Sequence, residues 1–286
     1  MSLLRTTSNR QFIGGLMVLP VLVALAAVPT RAGFKDVVAI PSATMKRSFK
    51  ATIVFPTSYK TEKERRYTVL YLLHGFSQNH TVWARIAPLE AYADRYQMIF
   101  VCPDGDYDSW YLNSPLKKRS HFETYIAHEV PDFVDQSYRT VAARRGRALI
   151  GSSMGGHGAL TIVAKHPDRF RGAGSISGIT DLTQFPDKWG LSKALGPYSK
   201  NREIWKQFSF VGIYHKLAQT NTGLVLDCGT ADFALEGNRH AHKLLLKAGI
   251  PHQYFERPGS HTPDYVAAAL EYHLLYFHRI LEEGRD

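Results

Sequence analysis

Cysteine is scarce: Cys102 and Cys228 are the two in a chain of 286 residues. That excludes a disulfide framework, so the fold must rest on a hydrophobic core. Each thiol ends a predicted buried strand and lacks the neighbours of a reactive one, which reads as two free core thiols rather than a bridge. Internal repeats are absent, and low-complexity tracts do not occur beyond the N-terminus, which excludes solenoid and disordered architectures. No nucleic-acid motif accompanies the basic groups Lys117-Lys118-Arg119 and Arg144, Arg145 and Arg147. The formal charge of +10 therefore reads as a solvated surface with a weak pull on anionic envelope or polysaccharide. What is present is apolar: 44% hydrophobic and 12% aromatic residues, enough for one large core.

The first 32 residues lack any acidic side chain. Arg5 and Arg10 open them, an apolar stretch runs from Phe12 to Val28, and small residues follow at Ala24, Ala26, Ala27, Thr30 and Ala32. This is the three-part layout of a secretory signal peptide, with cleavage after Ala26 or Ala32. Pro20 and the Gly interruption weigh against a stable membrane span in the mature form. No Cys follows the apolar stretch and no paired arginines precede it, so neither a lipoprotein anchor nor a twin-arginine signal is expected. The expectation is an exported protein, with residues 1–32 as signal and 33–286 as one catalytic domain.

Within that domain, apolar strand-like runs alternate with amphipathic helical patterns. Val37 to Ile40 and Ser48 to Phe55 read as an opening antiparallel pair. Tyr67 to Leu73, Met98 to Cys102, Ala148 to Gly151, Gly172 to Ile176, Leu224 to Cys228 and Gln253 to Glu256 read as strands buried on both faces. Helices are predicted over Thr81 to Tyr96, Phe122 to Tyr138 with a kink at Pro131, Gly155 to Lys165, Glu236 to Ala248 and Pro263 to Glu282. Such alternation predicts an α/β fold: a mainly parallel central sheet with helices on both faces. Asp181 to Thr222 breaks the rhythm. It is too long for a plain connection and rich in aromatics, so it is either a cap over the substrate site or an ordinary helical layer.

The chemistry is concentrated at Gly151-Ser152-Ser153-Met154-Gly155. This G-x-S-x-G pattern sits between a predicted strand and a predicted helix, the setting of a nucleophile elbow. The turn strains the nucleophile's backbone, glycines on either side let strand and helix approach, and the helix N-terminus aims its free N–H groups at the site. The spacing puts Ser153 at the apex.

A serine hydroxyl needs a base, and in this arrangement the order is Ser, then acid, then His. His261, after the last strand, fits among the 13 histidines. His240 and His242 face different sides of a helix and make no zinc pair, and His273 and His278 read as surface or packing residues of the closing helix. The acid follows the strand Leu224 to Cys228. Asp232, in the loop, is preferred to Asp227 in the strand end, with Asp264 a weaker third. The two oxyanion donors are expected to be the backbone N–H groups of Met154 and Phe76. His74 reads as a residue that bonds the backbone rather than a catalytic one. No metal and no organic cofactor is called for.

Leu73-His74-Gly75, Pro103-Asp104-Gly105 with Ser109-Trp110-Tyr111, the Gly151 to Gly158 run, Cys228-Gly229-Thr230-Ala231-Asp232 and Gly259-Ser260-His261 resemble, in order, the esterase D family. That family, on the α/β-hydrolase fold, includes S-formylglutathione hydrolases, feruloyl and acetylxylan esterases and the antigen 85 mycolyltransferases. The resemblance implies Ser153, Asp232 and His261 as the triad and Phe76 and Met154 as oxyanion donors. It also implies that Asp104, Trp110 and Tyr111 line the site. Three activities stay open. One is an exported serine carboxylesterase acting on short-chain, acetyl or feruloyl esters of small molecules or polysaccharides, with Trp110, Tyr111, Trp189 and Trp205 suited to stacking. The others are a formylglutathione-type thioesterase and an acyl transfer to a sugar hydroxyl. A binding protein on an inactive hydrolase scaffold is disfavoured, because all three triad positions hold competent residues.

Overall fold

A computed structural model describes residues 33–283. The expected signal segment and both of its cleavage sites lie outside the described residues. Eight strands form one sheet in the order β1-β2-β4-β3-β5-β6-β7-β8. They are β1 (Phe34–Ser42), β2 (Arg47–Phe55), β3 (Val69–Leu73), β4 (Ile99–Pro103), β5 (Arg147–Ser152), β6 (Gly172–Ile176), β7 (Gly223–Gly229) and β8 (Gln253–Arg257). β1 pairs antiparallel with β2, and β2 antiparallel with β4; the remaining pairs are parallel. This is the mainly parallel sheet the alternation predicts.

The central strands are apolar on both faces because both are covered. In β3, Val69, Tyr71 and Leu73 pack into one core layer while Leu70 and Leu72 pack into the other. All five are fully buried. Each such side chain contributes about 1.5–3 kcal/mol relative to exposure. The first layer holds the Met154–Lys165 and Leu235–Lys247 helices, and the second holds the Leu89–Tyr96 and Pro263–Glu282 helices.

Two helical segments depart from the predicted outlines. The Thr81 to Tyr96 pattern is two helices, Val82–Ile86 and Leu89–Tyr96. Pro88 separates them: Ala87, just before it, is extended at φ −139°, ψ 148°. Phe122 to Ser137 stays helical, with a π-helical stretch, Tyr125–Glu129, just ahead of Pro131, where the kink is expected. Cys102 and Cys228 are buried and free.

The 181–222 segment folds as short helices, among them Leu191–Leu195, Arg202–Phe208 and Phe210–Ile213. It divides its aromatics. Trp205 is fully buried with its Nε1 donating to Gly196 O, whereas Trp189 reaches the pocket described below.

Candidate active site

β5 ends at Ser152 and a helix begins at Met154. Ser153, between them, has φ 55° and ψ −116°. A side chain other than glycine rarely adopts such a backbone, so the surrounding structure must impose it. The imposition is visible. Ser153 N–H donates to Ile176 O at 3.0 Å, and its carbonyl accepts from His157 N–H at 3.0 Å and Ile179 N–H at 3.4 Å. A Cβ on Gly151 would stand 2.1 Å from the Gly155 carbonyl, and one on Gly155 2.1 Å from Leu73 O. Glycine alone permits that approach. Ser77, Trp110, Tyr111, Ser177 and Trp189, all in loops around the site, also have positive φ. Among the described residues no hydrogen bond joins Ser153 Oγ to His261, whose ring bonds Asp232 through Nδ1.

The loops after β7 and β8 are stitched together. Thr230 N–H donates to Arg257 O at 2.9 Å and Ala231 N–H to Gly259 O at 2.8 Å. This places Asp232 against His261, whose Nδ1 lies 3.0 and 2.9 Å from the two carboxylate oxygens. With Nδ1–H donating, Nε2 is left as the acceptor. Asp232 also accepts Ala234 N–H at 2.8 Å. Burial alone would raise its carboxyl, but the hydrogen bonds from His261 and Ala234 N–H outweigh it and hold the pKa below the usual carboxylate value.

Asp227 faces elsewhere. It is fully buried, pairs with Arg257, accepts the Tyr265 hydroxyl at 2.5 Å and lies 3.9 Å from His273 Nε2. Asp264 stands exposed in the first turn of the closing helix. The geometry thus brings Asp232, rather than either alternative, to His261.

After β3 the chain turns through His74 to Gln78. Gly75, Ser77 and Gln78 all spend their N–H groups internally, on Gln78 Oε1, Tyr107 O and Gly75 O. Among the described residues the N–H groups of Phe76 and Met154 have no acceptor. The second stands at a helix N-terminus, where the dipole favours negative charge. His74 clamps this loop: its Nδ1 lies 2.8 Å from Gly75 O, and its Nε2 accepts Gly105 N–H at 2.7 Å. That pairing requires the proton on Nδ1, and makes His74 a bond to the backbone, as its sequence context suggests.

These groups open on a cavity of about 270 Å³ that Gly75, Phe76, Ser152, Ser153 and His261 line. Trp110, Trp189 and Phe233 line it as a run of touching rings, and the aliphatic Val82, Ile86 and Val266 line it as well. Trp110 thus lines this cavity. Asp104 and Tyr111 stand one layer behind. Tyr111 is buried under Gly105 and Gly158, with its hydroxyl on His74 O at 3.1 Å. Asp104 accepts Asp106 N–H at 2.9 Å and lies 3.5 Å from His74 Nε2.

Sequence reasoning passes over Phe233, although it directly follows Asp232, and over Val82 and Ile86, which a helical pattern presents as core. Among the described residues no cluster of three or more His, Cys, Asp or Glu side chains is placed to hold a metal ion.

Comparison with known proteins points to an esterase family. A family model described as "Putative esterase" matches residues 42–277. An esterase of Mycobacterium tuberculosis is 30% identical over 237 residues, 73% of this chain and 52% of its own length. The chain thus spans about half the length of that relative. An acetyl esterase of Caldicellulosiruptor saccharolyticus is 28% identical over 222 residues, covering 71% of this chain and 82% of that protein. The solved structure of a ferulic acid esterase superposes with a TM-score of 0.76 at 26% identity, covering 87% of this chain and 99% of the other.

Proposed function

The chain belongs to the esterase family, and from that premise we propose that it is an exported serine carboxylesterase using Ser153, His261 and Asp232. His261 Nε2 takes the proton of Ser153 Oγ as the oxygen attacks the ester carbonyl. The developing oxyanion is held by the N–H groups of Phe76 and Met154, which cost no reorganisation because they already lack acceptors. Asp232 fixes the histidine tautomer and stabilises the imidazolium. His261 then protonates the leaving alcohol and activates the water that releases the acid. No step requires a metal or an organic cofactor.

The observation that carries the reading is the pairing of His261 Nδ1 with both oxygens of Asp232, in the pocket that also holds the strained Ser153. The acetyl esterase and ferulic acid esterase among the similar proteins support a carboxylic ester as the substrate. Export is supported by the basic-apolar-small layout of the first 32 residues. Among the described residues no helix is long and apolar enough to cross a membrane.

The test is hydrolysis of p-nitrophenyl acetate by the wild type and Ser153→Ala, alongside the N-terminal mass of the protein recovered outside the cytoplasm. Loss of turnover by a factor of about 10⁴ or more is expected, with a mature N-terminus at Ala27 or Gly33. Undiminished turnover by the variant removes Ser153 from the mechanism, and an intact Met1 on protein found only in the cytoplasm removes export.

A further inference from the structure

The side chains that line the pocket fall into an aromatic set and an aliphatic set, which differ in exposure. In the first, Phe233 packs its ring on His261, with centroids 4.5 Å apart and planes at 35°. Trp189 continues the surface at 5.7 Å from Phe233, and Trp110 lies 5.8 Å beyond Trp189. The Trp110 Nε1–H donates to Trp189 O at 3.2 Å, which ties the 181–222 segment to this wall. Phe233 is 51% exposed, so the wall runs out to the protein surface. A second set of lining side chains is aliphatic and more enclosed. Val82 is 5% exposed, Ile86 and Val266 are half-buried, and the fully buried Trp83 neighbours Val82. It lies between the Val82–Ile86 helix and the Pro263–Glu282 helix.

We propose that the enclosed Val82–Ile86–Val266 wall takes the acyl group and the open Phe233–Trp189 wall takes the alcohol. The preferred substrate is then an ester of a short, unbranched aliphatic acid with a bulky aryl or glycosyl alcohol. This rests on Ser153 and His261 acting as proposed above. The leaving oxygen must sit on His261 Nε2 to receive its proton, which puts the rest of the alcohol beside the ring that covers that imidazole. The carbonyl oxygen must sit on Phe76 N–H, and the chain that leaves Phe76 runs directly into the helix bearing Val82 and Ile86. An acyl group pointing there meets aliphatic carbon in a space that, for the whole pocket, is about 270 Å³. Length is therefore limited on the acyl side. The alcohol side is open to solvent and offers flat π faces, which suit sugar and aryl rings.

The test uses the full chain and two substrate series. Acetate, butyrate and octanoate esters of p-nitrophenol vary the acyl group; phenyl and ethyl acetate vary the alcohol. Ile86→Ala should raise kcat/KM for octanoate relative to butyrate about tenfold, and Ile86→Phe should lower butyrate relative to acetate by a similar factor. Neither should move the phenyl-to-ethyl ratio. Phe233→Ala and Trp189→Ala should lower the phenyl-to-ethyl ratio about fivefold and leave the chain-length profile in place. Phe233→Leu serves where the alanine variant does not fold. Exchange of the two effects, or no change in either ratio, overturns the partition. Ser153→Ala separates the layers: if it is inactive while the wall variants exchange their ratios, the partition alone falls, and if it is active the underlying mechanism falls as well.

Discussion

At the scale of the residue, two aspartates near the end of β7 carry different burdens. Asp232 meets the imidazole of His261, while Asp227 neutralises Arg257 and receives the Tyr265 hydroxyl in the interior. Substitution should therefore separate catalysis from stability. Asp232→Asn keeps the shape but presents the wrong hydrogen-bond partner to Nδ1–H, and kcat should fall about 10⁴-fold with little change in melting temperature. Asp227→Asn leaves Arg257 without its charge partner, and should cost on the order of 3 kcal/mol of stability before it touches turnover. Initial rates and thermal melts of both variants decide it. A catalytically dead, thermally normal Asp227→Asn would reverse the two roles. His74 shows the same economy: a ring bonded on both sides to backbone, holding the loop that presents Phe76.

At the scale of the element, close approach rather than propensity explains the composition. β6 reads Gly172-Ala173-Gly174-Ser175-Ile176, a poor strand by propensity. Its glycines make room for the closing helix: a Cβ on Gly172 would meet the Phe277 ring at 2.6 Å, and one on Gly174 the His273 ring at 2.5 Å. The same logic rules the elbow. Gly155→Ala would drive a methyl into Leu73 O, on backbone that cannot rotate away. It should destabilise the protein by about 3 kcal/mol or more, and soluble yield and melting temperature will report it. A wild-type melt for Gly155→Ala would show that the elbow has slack this packing denies. Where the predicted outlines failed, the cause was local: Pro88 stops one helix at Ala87, and a π-helical turn stands just before Pro131.

At the scale of the molecule, two buried histidines make stability depend on pH. Burial drives His157 and His273 down to about 3. Between that value and about 6.5 the unfolded chain binds their protons and the native fold does not. Stability is therefore fully present above about pH 6.5 and falls as the pH drops below it, by about 1.4 kcal/mol per pH unit for each histidine. The Asp232 carboxyl, held below its usual value, adds to the acid loss. Denaturant midpoints at pH 7, 6, 5 and 4 should decline progressively, and His273→Leu should flatten the decline. An equal slope in that variant would assign the acid sensitivity to other groups.

The amino-acid sequence by itself determined the strand-helix alternation, the order of Ser153, Asp232 and His261, and the elbow, because each is written in local patterns. An apolar run with no polar alternation must be buried on both faces, and a serine between glycines at a strand-to-helix junction leaves few other conformations. The long-range facts were decided by the tertiary structure. Its place in a loop ranked Asp232 above Asp227; the stitched loops after β7 and β8 put it on His261, and Arg257 with Tyr265 occupies Asp227. The resemblance named Asp104, Trp110 and Tyr111 together, yet positive φ at both Trp110 and Tyr111 sends one ring to the pocket and the other beneath Gly105. Phe233, Trp189 and Val82 come from three separate stretches of chain, and no spacing in the sequence relates them. They share a cavity because the C-terminal ends of parallel strands converge on one edge of the sheet, and packing chooses which side chains remain to line it.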